Sequence, residues 1–249
     1  MKLLSHILPV AELTLEQRLA MFELMRRHYV DVCAEVFERD LAEKDWVITL
    51  SDSSGVLQGF STQKLLDFNN AGKPIRVLFS GDTIVDREHW GDRALGQAWG
   101  NLALQLLEAR PSTELYWFLI SQGYRTYRFL PLFFHEFFPR YDQETPAEIK
   151  ALTDRLAAHR YGHDYDAAQG VVLPNSQQYR LRAELGEVSE LRLQDPHVSF
   201  FVTANPRHAE GAELCCLARI TRENFTPAAW RVIHTARQDT LRQDTLPCG

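Results

Sequence analysis

Cysteine is scarce in this 249-residue sequence: four residues, Cys33, Cys215, Cys216 and Cys248, with no CxxC spacing. A disulfide-stapled scaffold or a zinc ribbon needs thiols at closer, regular intervals, so reduced thiols in a cytoplasmic setting are expected. Positive charge is also short. With 27 Lys and Arg against 33 Asp and Glu, the formal net charge is −6, which removes the attraction by which proteins wrap nucleic acid or lie on anionic membranes. An anionic ligand therefore needs a local basic pocket. Long apolar runs are lacking too: Met1 to Val10 carries Lys2 and is broken by Ser5, His6 and Pro9, so it reads as a first strand, with no membrane span expected. Repeats and low-complexity tracts are absent. What is present, 45% hydrophobic and 24% charged residues, is the balance of a chain that buries a large core.

Thr14 to Gln17 has the pattern of a capping box and predicts a helix with Leu15, Leu19, Phe22 and Met25 on its apolar face. Ala34 to Lys44 reads as a second helix. Three β-type runs follow, Trp46 to Ser51, Leu57 to Phe68 and Ile75 to Val85, parted by turn formers at 52–55 and 69–74, and together they predict an antiparallel meander. Leu95, Ala98, Trp99, Leu102 and Leu106 recur at helical spacing within Gly91 to Ala109, a helix that should cover one face of the meander. Leu115 to Ser121 then reads as a buried strand, and Tyr124 to Phe138 as a helix kinked or split at Pro131.

Beyond Pro139 the texture changes. A helix is predicted from Thr145-Pro146 to about His159, a loop over 159–176, strands within 178–185, 197–203 and 213–220, and a last helix over about 226–240. Residues 1–140 form the expected core and 141–249 a C-terminal α+β extension, whose strands 197–203 and 213–220 either stand apart or complete the first sheet.

Chemistry concentrates at the end of the third β-run, in Gly81-Asp82-Thr83-Ile84-Val85-Asp86, and in the loop Arg87-Glu88-His89-Trp90-Gly91-Asp92-Arg93-Ala94 that follows. Unpaired amides and the positive end of a helix dipole attract phosphate there, and glycine lets backbone approach. This loop, in an order of strand, helix, helix, three strands, long helix, strand and helix over Leu3 to Pro139, resembles the GNAT superfamily of acyltransferases. The resemblance implies an α/β fold, a GNAT-like mixed, mostly antiparallel twisted sheet flanked by helices. It also implies acyl-CoA, acetyl or longer, as co-substrate, its pyrophosphate held by a loop of the form [RQ]xxGx[GA]. Arg87, Trp90, Gly91, Arg93 and Ala94 would form that loop. Its Arg-to-Gly spacing is one residue longer than the pattern, and Glu88 and Asp92 bring negative charge to it.

In the family the fourth and fifth strands splay, and the pantetheine arm pairs with exposed strand backbone. Ile84 and Val85 would line one side of that gap, and Ser121 with its neighbours the other. A tyrosine after the fifth strand protonates the leaving thiolate, a role that falls to Tyr127, with Tyr124 second. Acyl transfer to an amine also needs a base, for which Asp82 and Asp86 are the candidates, with Glu88 and His89 behind them.

The implied acceptor is a small-molecule amine or an amino-acid-like compound. The irregular loop leaves open an acyl-carrier protein as donor, docked on Arg125, Arg128 and Arg140, and equally a non-catalytic scaffold that binds a ligand or protein. No metal is expected: His159 and His163, four apart beside Asp164 and Asp166, are interrupted by Gly162 and have no second ligand cluster. Each candidate also has a plainer role, Tyr127 as a core aromatic, Asp82 as a turn or cap residue, and Trp90 as packing.

Overall fold

In the computed structural model, residues 2–174 and 179–234 are described. The chain opens with β1 (Leu4–Pro9), α1 (Leu15–His28) and the two-residue β2 (Tyr29–Val30), then α2 (Ala34–Ala42). The capping box forms as its sequence requires, Gln17 N donating to Thr14 Oγ1 and Thr14 N to Gln17 Oε1. The apolar face of α1 differs from expectation. Met21, Leu24, Met25 and His28 are buried, whereas Leu15 and Leu19 are exposed, because the helix rolls so that its C-terminal half packs on the sheet.

The meander follows as β3 (Trp46–Ser51), β4 (Leu57–Asn70) and β5 (Lys73–Val85). The helix α3 (Ala94–Ala109) crosses over to β6 (Leu115–Ser121), which lies parallel to β5, while all other pairings in the sheet are antiparallel. Two short helices, α4 (Tyr124–Tyr127) and α5 (Phe129–Phe133), absorb the aromatic segment. The helix α6 (Ala147–Tyr161) precedes β7 (Tyr165–Asp166), β8 (Val171–Val172), β9 (Arg180–Leu181), α7 (Ala183–Gly186) and α8 (Glu190–Leu193).

Residues 197–203, expected as a strand, are instead the body of α9 (Pro196–Ala204). Asp195 accepts from His197 N, Pro196 occupies the first turn, and Val198 and Phe201 bury one side at helical spacing, so local capping overrides β-propensity. The final strand β10 (Glu213–Arg219) pairs with β6 and extends the sheet to eight strands, in the order β1-β3-β4-β5-β6-β10-β8-β7. Helix resumes over 227–234, and the remainder of the predicted last helix lies outside the described residues.

Alternation along the strands divides the core between two faces. Leu78 points with Trp117 toward α3, α5 and the 227–234 helix, whereas Val77 and Phe79 point toward α6. A third cluster of Met21, Leu24, Phe37, Val47, Phe60 and Ile84 lies beneath α1 and α2. Cys215 and Cys216 divide in the same way, one to each face, and both are buried. Among the described residues no helix is long and apolar enough to cross a membrane.

Candidate functional site

The β5 strand is long enough to outrun its parallel neighbour. Pairing with β6 runs from Arg76–Leu115 to Ser80–Leu119 and stops there, while β5 continues to Val85 bound only to β4. The residues 81–85 therefore turn one backbone edge toward a gap. A bulge marks the departure: Ser61 faces Thr83, but Gln63 faces Ser80, so β5 carries one extra residue and its direction changes.

A buried polar chain fixes this bulge. Trp117 Nε1 donates to Ser80 Oγ (2.9 Å), Ser80 Oγ donates to Gln63 Oε1 (2.7 Å), and Gln63 Nε2 donates to Ser61 Oγ (2.7 Å). Ser61 Oγ shares a hydrogen with Thr83 Oγ1 (2.7 Å), whose hydroxyl lies 3.3 Å from Gly81 O. Such a satisfied network specifies one backbone path where the sheet parts.

A cavity of about 1030 Å³ passes through the gap. On the α3 side it is walled by Gly91 to Arg93, Leu95, Gly96, Phe129, Phe133 and Val232, and the arginines of this side are Arg93, Arg125, Arg128, Arg192 and Arg231, while Arg39 and Arg160 line the other. Asp92 is the acid at this end. Its carboxylate accepts from Ala94 N (2.7 Å) and Leu3 N (3.1 Å), so it caps α3 itself. Trp90 donates from Nε1 to Val85 O (2.9 Å), and the Arg125 guanidinium lies 3.7 Å over its ring. The residues present fit an anionic thioester donor, with open β-edge for an amide-bearing arm and arginines beside the first turn of a helix for phosphate.

The other end opens toward α2 and α6, where Asp82 lines the cavity along with Asp40, Lys44, Arg160, Tyr161, Tyr179 and Glu213. Removal from bulk water, with Asp40 nearby, pushes the Asp82 carboxyl up from 3.8 to about 6, although Lys44, the Tyr179 hydroxyl and Arg160 oppose the rise. Tyr179 donates its hydroxyl to Asp82 Oδ1, and burial together with that carboxylate keeps the phenol protonated. Lys44 reaches this spot across Gly81, where a Cβ would come within 2.9 Å of its side chain.

The predicted site residues divide. Asp82, Ile84, Val85, Trp90, Gly91 and Arg93 line the cavity. Asp86 does not: its carboxylate accepts from Arg87 N and pairs with Arg27 at 2.9 Å, leaving it beside α1. Arg87 is exposed outside the cavity, 5.8 Å from the Trp90 ring centre. Ala94 and Ser121 are buried behind its wall. Tyr127 does not line the cavity either. It is 0% exposed, donates to Pro139 O at 3.0 Å and packs against Phe137 and Phe201, whereas Tyr124, also buried, borders the cavity. His163 is exposed and pairs with Asp164, His159 packs on Phe68, and among the described residues no three metal-binding side chains converge.

The sequence also holds a second match to the loop pattern. Taken six residues later, Arg93-Ala94-Leu95-Gly96-Gln97-Ala98 fits [RQ]xxGx[GA] without a gap. Gly96 has a packing reason to be there, since a Cβ would stand 3.0 Å from the Phe133 ring. Lys44, Arg160 and Tyr179 carried no local signal, since only tertiary folding brings them to Asp82.

No protein-family model matches the sequence, and no curated protein matches it. Similar solved structures include the GNAT family N-acetyltransferase YhbS from Escherichia coli in complex with CoA (15% identity, TM-score 0.37), the match covering 49% of this chain and 64% of that one. A protein from Enterococcus faecalis V583 described as a probable N-acyltransferase is similar over 88% of this chain and 66% of its own (10% identity, TM-score 0.42). Saccharomyces cerevisiae N-myristoyltransferase with bound myristoyl-CoA is similar over 49% of this chain and 30% of its own (11% identity, TM-score 0.37). The chain thus spans less than two thirds of the length of each. Its own topology, an antiparallel meander, one crossover helix and a single parallel pair that parts at a bulge, is a GNAT-like fold.

Proposed function

We propose that the chain is an N-acyltransferase that moves an acyl group from acyl-CoA to an amine acceptor across the gap between β5 and β6. The observation that carries the reading is the cavity itself, which joins an arginine-lined end beside α3 to an end containing Asp82 on the opposite face. The donor's arm would enter beside Arg93 and the first turn of α3 and pair with residues 81–84. The acceptor would come from the α2 and α6 side. Asp82 takes a proton from the ammonium, the freed nitrogen attacks the thioester carbonyl, and as the C–S bond breaks to release a thiolate the nitrogen gives up its second proton, which balances the one the sulfur takes up. Tyr124, which lines the cavity next to the end of β6, replaces Tyr127 as the proposed acid for that sulfur. A carboxylate pushed up to about 6 is ionised at neutral pH yet basic enough to share a proton with an amine.

A second reading keeps the chemistry and changes the carrier. Because the Asp92 carboxylate holds the Ala94 amide, an acyl-carrier protein is the alternative donor, its acidic surface meeting exposed Arg128 and Arg192. The test is thiol release from acetyl-CoA, a long-chain acyl-CoA and an acylated carrier protein against a broad amine panel, with Asp82→Asn alongside. Amine-dependent release that the variant loses supports acyl transfer, and the preferred donor separates the two readings. No release from any donor overturns both and favours a binding scaffold.

A further inference from the structure

The acceptor end of the cavity holds more cationic chemistry than an amine requires. Arg160, at the C-terminal end of α6, lies with its guanidinium 4.2 Å over the Phe79 ring, which fixes the plane of the group. Its side chain is only 17% exposed, and its ion pairs are long: Nη2 is 3.5 Å from Asp40 and 3.7 Å from Glu43. The buried Nε makes no hydrogen bond among the described residues. Nε and Nη2 form the edge of a guanidinium that grips a carboxylate with two parallel hydrogen bonds, so the edge suited to a planar acid is the one left incompletely paired.

Lys44 adds a second buried cation, and Asp40 serves both it and Arg160. Tyr161 hydrogen-bonds the Arg160 side chain but brings no compensating charge, since burial holds its phenol protonated. Asp82 is near enough to feel Lys44, Arg160 and Asp40. A base for an amine and an incompletely paired guanidinium edge for an acid therefore share one end of one cavity.

We infer that the acceptor is an α-amino acid or a close analogue, its amine at Asp82 in place of the Tyr179 hydroxyl and its carboxylate on the Nε–Nη2 edge of Arg160. This assignment rests on the acyl-transfer reading for its chemistry but not for its binding. Arg160 acts as a specificity determinant, and Asp82 remains the base.

The test uses the full chain with CoA present and compares L-amino acids with their primary amides, first by calorimetric binding and then by acyl transfer from acetyl-CoA. Filling a charged, pre-oriented fork predicts that the acids bind at least ~30-fold tighter than the amides. Arg160→Gln should level the two series, and Arg160→Lys, which keeps charge but loses the fork, should recover only part of the preference. The wild-type comparison stands even if a variant fails to fold. Amides that bind as well as acids, or no binding by either, overturn the inference. Transfer to simple amines alone would overturn it while leaving the acyl-transfer reading intact, and an Arg160-dependent acid preference in binding without any transfer would do the reverse.

Discussion

Replacing Asp82 by Asn separates the work this side chain does from the stability it costs. The substitution keeps the shape and leaves an oxygen to accept from Tyr179, but it removes the charge. In the folded chain the carboxyl is pushed from 3.8 up to about 6, and at ~1.4 kcal/mol per tenfold change in proton affinity the ionised form is disfavoured by roughly 3 kcal/mol. The sign follows from linkage. A carboxyl whose folded value is raised contributes stability below its unfolded value, and that contribution is lost as pH rises through about 6. Wild-type protein should therefore lose roughly 1–2 kcal/mol more between pH 5 and pH 8 than Asp82→Asn, which has no such proton to lose. Urea denaturation of both proteins at the two pH values measures this. The same variant should lower kcat by about 10²–10⁴, the usual worth of a positioned base. If Asp82→Asn is instead destabilised most at pH 8, Asp82 is an ionised partner of Lys44 and Arg160, and the base assignment fails.

Tyr179→Phe removes a hydrogen bond that favours the Asp82 carboxylate, so the rising limb of the kcat/KM profile should shift to higher pH, read from initial rates between pH 5 and 9. Tyr124→Phe should lower kcat by about 10²-fold or more, whereas Tyr127→Phe should cost about 1 kcal/mol in denaturant and leave turnover near wild type, because its hydroxyl serves Pro139 O. Gln63→Leu breaks the polar chain under the bulge, taking the acceptor from the Ser80 hydroxyl and the amide donor from Ser61, and should cost about 1–3 kcal/mol in the same denaturation assay while weakening donor binding. Gly100→Ala would bring a Cβ to 2.5 Å from Ile233, and a melting curve should show destabilisation of about 1–3 kcal/mol.

Much of the architecture was legible because its signals are local. The Thr14–Gln17 box, the turn formers around Gly55 and Gly72, and the apolar period of α3 each act within a few residues, and they forecast the meander and its crossover. The segment 197–203 reads as a strand yet folds as a helix, because an apolar run of that length suits either, and the Asp195-Pro196 cap decides. At the site, Asp82, Ile84, Val85 and Arg93 could be found since they neighbour one another in sequence. Tyr127 and Tyr124 are three residues apart, and which of them meets the cavity depends on the angle at which α4 leaves β6. Arg160 and Tyr179 come from distant parts of the chain, and no local pattern joins them to Asp82.

In the proposed reaction the arginine-lined end of the cavity receives the donor thioester beside Arg93 and the first turn of α3. Calorimetric titration of the full chain with acetyl-CoA and a long-chain acyl-CoA, at two salt concentrations and with Arg93→Glu in parallel, tests it most directly. The account predicts one site per chain, weakened by salt and at least ~10-fold weaker in the variant. Binding unchanged by Arg93→Glu, or no binding of any CoA ester, would contradict it.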